Sequence, residues 1–543
     1  MRGAVCCALV GVVTGAAAAG AAPGGCGGIL LADVAAAAGI DFVHRRGASG
    51  AMHLPETMGA GVAWLDYDGD GWLDLYLVQS GPFPPDGSPQ AANRLFRNLG
   101  GGRFVDVTAA SGAGHRGYGQ GVVAADADGD GAVDLYVANF GADALLRNLG
   151  DGRFAEATAA AGLGLDGWSS SAAFADADGD GDLDLYVTRY VEYDPDQPLF
   201  CGDLEAGRRD YCDPSLFSGA GDRLYRNDGG RFADVTAAAG LGEAAGNGLG
   251  VVFADLDGDG RPDLYVANDI TPNFLFHNLG GMRFADISLL SGAAASREGL
   301  YEAGMGIALG DVDGDGDPDL GVTNFDVETN TLYENLGAMQ FADVSAESGF
   351  GVPSFNLLGF GIAFADLDRD GDLDAYVTNG HIFERPRREQ VTFEQPDLLL
   401  LGDGAGGFAA VDCPGLAARP GVGRGLAVAD FDNDGDPDLT IQQSDRPARL
   451  LANGAAGRWL GVALRGRAPN SGAVGAEVTL VAGGEPQRRW ALAGGSYQSS
   501  HDPRLLFGLG EREAETVEVR WPAGRRQRLV SPPADRYLVV AER

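Results

Sequence analysis

Short apolar runs separated by Gly, Asp and Asn set the rhythm of this chain. In the first unit an apolar run, Gly61-Val-Ala-Trp-Leu65, leads into an acidic stretch, Asp66-Tyr-Asp68-Gly-Asp70-Gly-Trp-Leu-Asp74. A second run, Leu75-Tyr-Leu-Val78, follows at once, then Arg94-Leu-Phe-Arg-Asn98 and Arg103-Phe-Val-Asp-Val-Thr108. Runs this short, rich in Leu, Tyr, Val and Phe and bounded by turn residues, predict strands. The acidic stretch recurs from Asp126, Asp176, Asp255, Asp311, Asp366 and Asp430, at intervals of 60, 50, 79, 56, 55 and 64 residues. Matching apolar runs recur with it, such as Gly306-Ile-Ala-Leu-Gly310, Leu264-Tyr-Val-Ala267, Arg223-Leu-Tyr-Arg-Asn227 and Arg231-Phe-Ala-Asp-Val-Thr236. Four strands per unit at this period predict the blades of a β-propeller. The expected fold is all-β: a seven-bladed β-propeller over residues 29–457, followed by a small C-terminal β domain over 458–543.

The two ends of the repeat fit together. Leu31-Ala-Asp-Val-Ala-Ala-Ala-Ala-Gly-Ile40 matches the fourth-strand segment Phe232-Ala-Asp-Val-Thr-Ala-Ala-Ala-Gly-Leu241, yet it precedes the first acidic stretch. After the last one, a third run near Ala448 to Asn453 appears and the chain then leaves the pattern. The N-terminal strand is expected to complete the last blade, closing the ring and removing its free edges.

Numbered from its first Asp, every acidic loop has Asp at positions 1, 3, 5 and 9 and Gly at position 6. The carboxylates are Asp66, Asp68, Asp70 and Asp74; Asp126, Asp128, Asp130 and Asp134; Asp176, Asp178, Asp180 and Asp184; Asp255, Asp257, Asp259 and Asp263; Asp311, Asp313, Asp315 and Asp319; Asp366, Asp368, Asp370 and Asp374; and Asp430, Asp432, Asp434 and Asp438. Four carboxylates in one turn repel each other unless a cation sits between them. Hard oxygen ligands at flexible spacing favour Ca²⁺ over Mg²⁺, and Gly at position 6 permits the sharp turn. Up to seven Ca²⁺ ions are expected. Position 12 of the first loop is Leu77, where an EF-hand has Glu, so each loop is placed as the turn of a β-hairpin instead. The competing reading is a solvated acidic turn, since Asp and Gly favour turns anyway.

Composition adds to this picture. The net charge is −38, and every basic residue is arginine. Such acidity excludes nucleic acid and anionic lipid as partners. Gly at 87 residues and Pro at 25 belong to the many turns of a folded protein whose hydrophobic share is 45%. Residues 1–25, with Arg2, an apolar core from Ala4 to Val13 and small residues at Ala17 to Ala22, read as an export signal. The alternatives are an Ala/Gly-rich start without that role, or a lipidated Cys26. No later stretch is long and apolar enough to span a membrane. Export makes disulfides possible. Cys201 and Cys212 flank a polar insertion and are expected to pair, while Cys26 and Cys413 stay unassigned.

The loops with their flanking strands resemble the FG-GAP and VCBS repeats of integrin-α-type propellers. Residues 459 to 540 resemble the ASPIC/UnbV domain, through Trp459-Leu-Gly-Val462, Gly472-Ala-Val-Gly-Ala-Glu-Val478, Ser496-Tyr-Gln-Ser-Ser500, Pro503-Arg-Leu-Leu-Phe-Gly-Leu-Gly510 and Val519-Arg-Trp-Pro522. Asn379-Gly-His381 and Tyr211-Cys-Asp-Pro214 also look like this family. Leu506 departs from it, standing where relatives often carry His. The resemblance implies extracellular calcium binding and interaction, and no settled catalytic activity.

Enzyme signals are weak. Ser499-Ser500-His501-Asp502 puts triad residue types side by side, but triads assemble from distant segments, so a polar loop is the reading adopted. His381 is read as a turn residue and Arg385, Arg387 and Arg388 as a solvated basic spot. The function expected is a secreted or cell-surface calcium-binding repeat protein. It would act without catalysis in extracellular interaction or adhesion, with a protein or glycan partner. The alternative is an extracellular propeller enzyme with a site in the central funnel or the long insertions.

Overall fold

The computed structural model describes residues 26–543, except 87, 89–91, 204, 206, 243, 387, 414–415 and 417–418. The export signal expected at residues 1–25 lies outside the described residues.

Each acidic stretch turns the chain between the first and second strands of a four-stranded antiparallel sheet. Sheet 1 is built from Val62–Leu65, Asp74–Leu77, Arg94–Asn98 and Phe104–Asp106. Six further sheets repeat this order, so the described residues before 457 hold seven. The register is the same throughout: the residue before the loop pairs with its position-9 Asp, as in Leu65 with Asp74, Ala125 with Asp134 and Ala254 with Asp263. Position 9 therefore opens the second strand.

The first strands stand side by side around a common centre, each touching the next, and Gly423–Ala429 of sheet 7 returns to Val62–Leu65 of sheet 1. This ring of sheets is a β-propeller. Its second strands are buried on both faces, which is why they read as continuous apolar runs rather than as alternations. The core is divided into apolar layers between neighbouring sheets. Trp64, Leu75 and Phe104 pack on Phe431 and Leu450 between sheets 1 and 7, and Tyr76 and Leu95 pack on Val122 and Leu135 between sheets 1 and 2.

Two ties close the ring. Ala32–Asp33 pairs antiparallel with Arg449–Ala452, making the N-terminal segment the outer strand of sheet 7, as its resemblance to other fourth strands implied. Cys26 forms a disulfide with Cys413, 387 residues later and just past the last strand of sheet 6. That bond corrects the lipidation alternative, because it consumes the sulfur a lipid thioether would need. The expected Cys201–Cys212 disulfide is present, and strands Cys201–Asp203 and Arg208–Asp210 pair inside the loop it closes.

After the ring, the chain builds a β domain from two sheets. One joins Leu505–Gly510, Arg458–Arg465 and Tyr537–Ala541; the other joins Glu485–Trp490, Glu477–Ala482, Ala514–Arg520 and Arg526–Val530. They share a core that includes Leu460, Val478, Phe507, Val519 and Trp521.

Between strands Glu485–Trp490 and Leu505–Gly510, a segment enters the centre of the ring. Its backbone pairs with innermost strands of separate sheets: Phe174 with Ala493, Ile307 with Ser496, and Ala63 with Ser500. Its side chains complete the match. Ser499 Oγ accepts from Val62 N at 3.2 Å, Ser496 Oγ accepts from Ile362 N at 3.1 Å, and Tyr497 OH donates to Met58 O at 3.2 Å. Innermost strands crowd at a propeller axis and leave backbone groups unmet; this segment meets them.

Cys413→Ser breaks the disulfide without touching the N-terminal strand. It is expected to lower stability by about 2–4 kcal/mol, read as a shift in denaturant midpoint. Starting the mature chain after Ile40 also removes the strand and is expected to cause self-association through the bared edge of sheet 7, read by light scattering. A monomeric trimmed chain with unchanged hydrogen-exchange protection in that sheet would contradict the closure.

Candidate metal centres

The loop is shaped by its own carboxylates. In loop 1, Asp66 accepts from Asp70 N at 3.1 Å and Gly71 N at 3.0 Å, and Asp70 accepts from Trp72 N at 3.0 Å. Gly71 has φ +88°, a left-handed conformation, and the position-6 glycine is left-handed in every loop. Position 4 is left-handed too. It is Gly in the first five loops, but Arg369 (φ 64°) and Asn433 (φ 61°) in the last two.

Position 9 has a different task from positions 1, 3 and 5. Asp74 accepts from Tyr67 N at 3.1 Å through one oxygen and from Asn98 N at 2.8 Å through the other. The same clasp recurs at Asp134, Asp184, Asp263, Asp319, Asp374 and Asp438. Burial pushes Asp74, Asp134, Asp184, Asp263, Asp319 and Asp374 up to about 8.

The asparagine ending the third strand is a functional residue that the loop pattern left unassigned. Asn98 Nδ2 donates to Leu73 O in its own sheet and to Phe431 O in the loop of sheet 7. Asn148, Asn227, Asn278, Asn335 and Asn453 reach the preceding loop in the same way. Sheet 6 has Gly402 at this place, and Gly406 N donates to Val312 O instead. The recurrence of Arg-Asn at the end of the third run was the available signal. Position 2 faces this clasp with a carbonyl that any residue supplies, so sequence carried no mark of it.

In each of loops 1 to 4, three of the four carboxylates lie close together. Oxygens of Asp66, Asp68 and Asp70 lie within 4.8 Å of one another, as do those of Asp126, Asp128 and Asp134, Asp176, Asp178 and Asp184, and Asp255, Asp257 and Asp263. The position-1 residues provide the test of fit. Asp126 Oδ2 accepts from Gly131 N and Ser471 Oγ, while its buried Oδ1 has no described donor. Asp255 Oδ2 accepts from Gly260 N and Arg520 Nη2, and Asp366 Oδ2 from Gly371 N and Gly508 N; their Oδ1 atoms are likewise buried and unmet. At position 3, Asp68 Oδ1 and Asp432 Oδ1 are in the same state. Buried carboxylate oxygens facing one another without donors fit a hard cation and fit little else.

The loops differ in the counter-charge around them. Arg97 lies 2.8 Å from Asp68 and 2.9 Å from Asp70, Arg147 lies 2.8 Å from Asp128, and His277 Nε2 lies 3.1 Å from Asp257. The equivalent third-strand residues in sheets 5, 6 and 7 are Glu334, Leu401 and Ala452. Loop 7 instead receives Arg369 from loop 6, 3.2 Å from Asp436 and 3.5 Å from Asp434.

Ser471, Arg520 and Gly508 belong to the C-terminal domain, which covers the loop face. Tyr537 OH also donates to Asp430 Oδ2 at 2.7 Å, and Arg504 donates to Asp430 O at 2.6 Å. The position-6 Gly435 sits where a Cβ would come within 1.9 Å of the Trp459 ring. The triad-like run is accounted for here: Ser499 and Ser500 bond innermost strands, and His501 Nδ1 accepts from Val428 N at 3.0 Å. His381 makes a local structural hydrogen bond, Nδ1 accepting from Phe383 N at 2.9 Å, and its Nε2 lies 3.4 Å from Asp326. Arg388 is not simply solvated: it lies over the Phe355 ring and 3.6 Å from Asp326.

Ring, loops and docked domain together define a class of protein: an acidic-loop β-propeller carrying a β domain on its loop face. A family model described as an FG-GAP-like repeat matches residues 66–137, 126–187, 213–266, 255–322 and 311–377, more than half of the chain. A second, described as ASPIC and UnbV, matches residues 466–543. The chain belongs to the FG-GAP-like repeat family and carries an ASPIC and UnbV domain. It is 30% identical to Cartilage acidic protein 1 of Xenopus tropicalis over 311 residues, 54% of this chain and 44% of that one. The Homo sapiens protein of that name is 31% identical over 310 residues, 54% of this chain and 43% of that one. The chain thus spans less than half the length of the curated relatives it matches. Among solved structures, BBS1N in complex with ARL6DN covers 73% of this chain and 93% of its own, at 10% identity and TM-score 0.41. YCF48 bound to D1 peptide gives 73%, 92%, 10% and 0.40. At these scores the likeness says nothing about function.

Asn148→Ala removes the buried hydrogen bond to Tyr67 O that joins loop 1 to sheet 2, together with the one to Val133 O in its own loop. It is expected to cost roughly 1–3 kcal/mol, read by chemical denaturation, and to raise amide exchange in both loops. A loss below about 0.5 kcal/mol would contradict the linking role.

Proposed function

We propose that this protein is a secreted calcium-binding repeat protein that acts, without catalysis, in extracellular interaction or adhesion. The observation that carries the reading is the state of Asp126, Asp255 and Asp366 at position 1: one oxygen held by protein donors, the other buried and without a donor. Calcium bound there would supply the positive charge that lets these carboxylates share one turn. The ligands would be the position-1, -3, -5 and -9 aspartates of each loop. The position-9 residue would lend the cation an oxygen of a carboxylate whose two oxygens each already take one backbone amide, so it would set the loop's shape with or without the ion.

Two disulfides support an oxidising exterior. Among the described residues no helix is long and apolar enough to cross a membrane. The partner is an extracellular protein or glycan and not a nucleic acid, given the net charge of −38. The functional units are an export signal at 1–25, the propeller at 29–457 and the ASPIC/UnbV domain at 458–543.

The enzyme alternative has less support. The central funnel it requires is entered by the segment around Tyr497, which is fully buried. His381 engages both ring nitrogens, one with the Phe383 amide and one toward Asp326, leaving neither free to act as a base.

Metal removal gives the test. The position-9 carboxylates of loops 1 to 6 are pushed by burial up to about 8, above their ordinary value. Groups raised in this way stabilise the fold below the ordinary carboxylate range, and that contribution is lost as pH rises through about 8, where buried carboxylates must ionise. The chelated protein is therefore expected to melt lower at about pH 8 than at about pH 5. Calcium at about 10⁻³ M should restore it, with a larger rise at the higher pH. Melting curves indifferent to chelator at both pH values would sink the calcium reading.

A further inference from the structure

Beyond the tip of the central segment lies a cavity of about 420 Å³, within the size range of small-molecule sites. Its position follows from its lining. Tyr497 bonds Met58 and packs its ring 5.0 Å from Phe360, and both Met58 and Phe360 line the cavity. It therefore opens at the ring mouth away from the acidic loops. The long insertions after Tyr190 and His381 gather around this mouth.

The floor is apolar. Leu249, Met305, Leu358 and Phe360, from three sheets, are all buried and face the cavity. One wall is acidic. Asp269 and Ala303 pair through their backbones, and Glu328 Oε2 accepts from Ala303 N at 2.9 Å, so the two carboxylates flank the same residue. Asp269 is only 9% exposed, with Oδ2 taking the Tyr190 hydroxyl and Oδ1 reached by no described donor. No described arginine or histidine pairs with Asp269 or Glu328. Arg388 and His381 are engaged with Asp326, and the buried Arg424 beneath Phe360 spends its donors on the carbonyls of Thr57, Gly380 and Gly423. Burial is the main cause that raises Asp269, to about 7, and Glu328 adds to it.

Strain marks the same wall. Ile270 (φ 55°) and Val327 (φ 74°) both line the cavity in a left-handed conformation that β-branched residues avoid. They directly adjoin Asp269 and the Asp326–Glu328 pair, so the cost is spent where the carboxylates are presented.

An apolar floor beside two carboxylates without a counter-ion calls for a ligand carrying both features. We propose that this cavity binds a small organic cation: a protonated amine seated between Asp269 and Glu328, on an apolar body lying against Met305, Leu358 and Phe360. This goes beyond the calcium loops and does not depend on them.

The test uses the full-length protein kept in calcium. The probes are phenethylamine and tryptamine, their neutral analogues 2-phenylethanol and tryptophol, the anion phenylacetate, and glucose. Binding is read by saturation-transfer NMR and calorimetry. Each amine is expected to bind about tenfold or more tightly than its alcohol, as befits a charge-assisted hydrogen bond. Phenylacetate should not bind. Asp269→Asn and Glu328→Gln should each erase most of the amine preference while alcohol binding persists, which also shows that the variants fold. Equal binding of amine and alcohol, binding of glucose alone, amine preference unchanged in both variants, or no binding by any probe would overturn the proposal.

Discussion

A buried aspartate that opens the second strand of each blade, such as Asp74 or Asp184, organises much of this molecule. Its two oxygens take one amide from its own loop and one from the end of the third strand, so a single side chain ties the acidic turn to the blade that carries it. The asparagine whose amide is captured then uses its side chain to hold the preceding loop. Loop shape, blade register and blade-to-blade spacing thus share one hydrogen-bond lattice. It runs around the ring to Phe431 and closes there on Asn98.

That lattice concentrates negative charge on one face, and the C-terminal domain answers it. In this domain arginines outnumber acidic residues, against the strong acidity of the whole chain. Arg520, Arg504 and Arg512 each reach a loop carboxylate or loop carbonyl. Its central segment adds polar matches to innermost strands that would otherwise leave backbone groups unmet. The domain is better described as a cap and axial plug than as a separate module joined by a linker. The first aspartates of loops 2, 4, 6 and 7 each bond to it, so four of the seven loops are tied directly to the domain.

The repeats are similar in sequence without being equivalent in charge. Arg97 and Arg147 lie against loops 1 and 2 and His277 against loop 4, while Glu334, Leu401 and Ala452 stand at the matching places near loops 5, 6 and 7. Arg369 takes a left-handed conformation normally given to glycine and delivers its guanidinium to loop 7. Charge compensation is thus distributed around the ring by different routes.

Much of the fold was legible along the chain because a propeller is built from local hairpins. The strand runs, the acidic turns and the orphan N-terminal segment Leu31 to Ile40 all carry their pattern within a few residues of one another. The Cys201–Cys212 bridge was legible for the same reason, since both cysteines bound one insertion. What sequence left open depends on contacts between distant segments. Cys26 had no readable partner until closure of the ring brought it to Cys413, and the Ser499–Asp502 run read only as a polar loop until docking placed it among innermost strands. The reach of Asn148 to Tyr67 O, and the meeting of Asp269 with Glu328 beside Ala303, likewise join separate blades. Local periodicity determines each blade, because every blade strand except the N-terminal one pairs with its neighbour in the repeat. Only the closed ring decides which unpaired groups of different blades come to face one another, because that depends on how the blades pack around the axis.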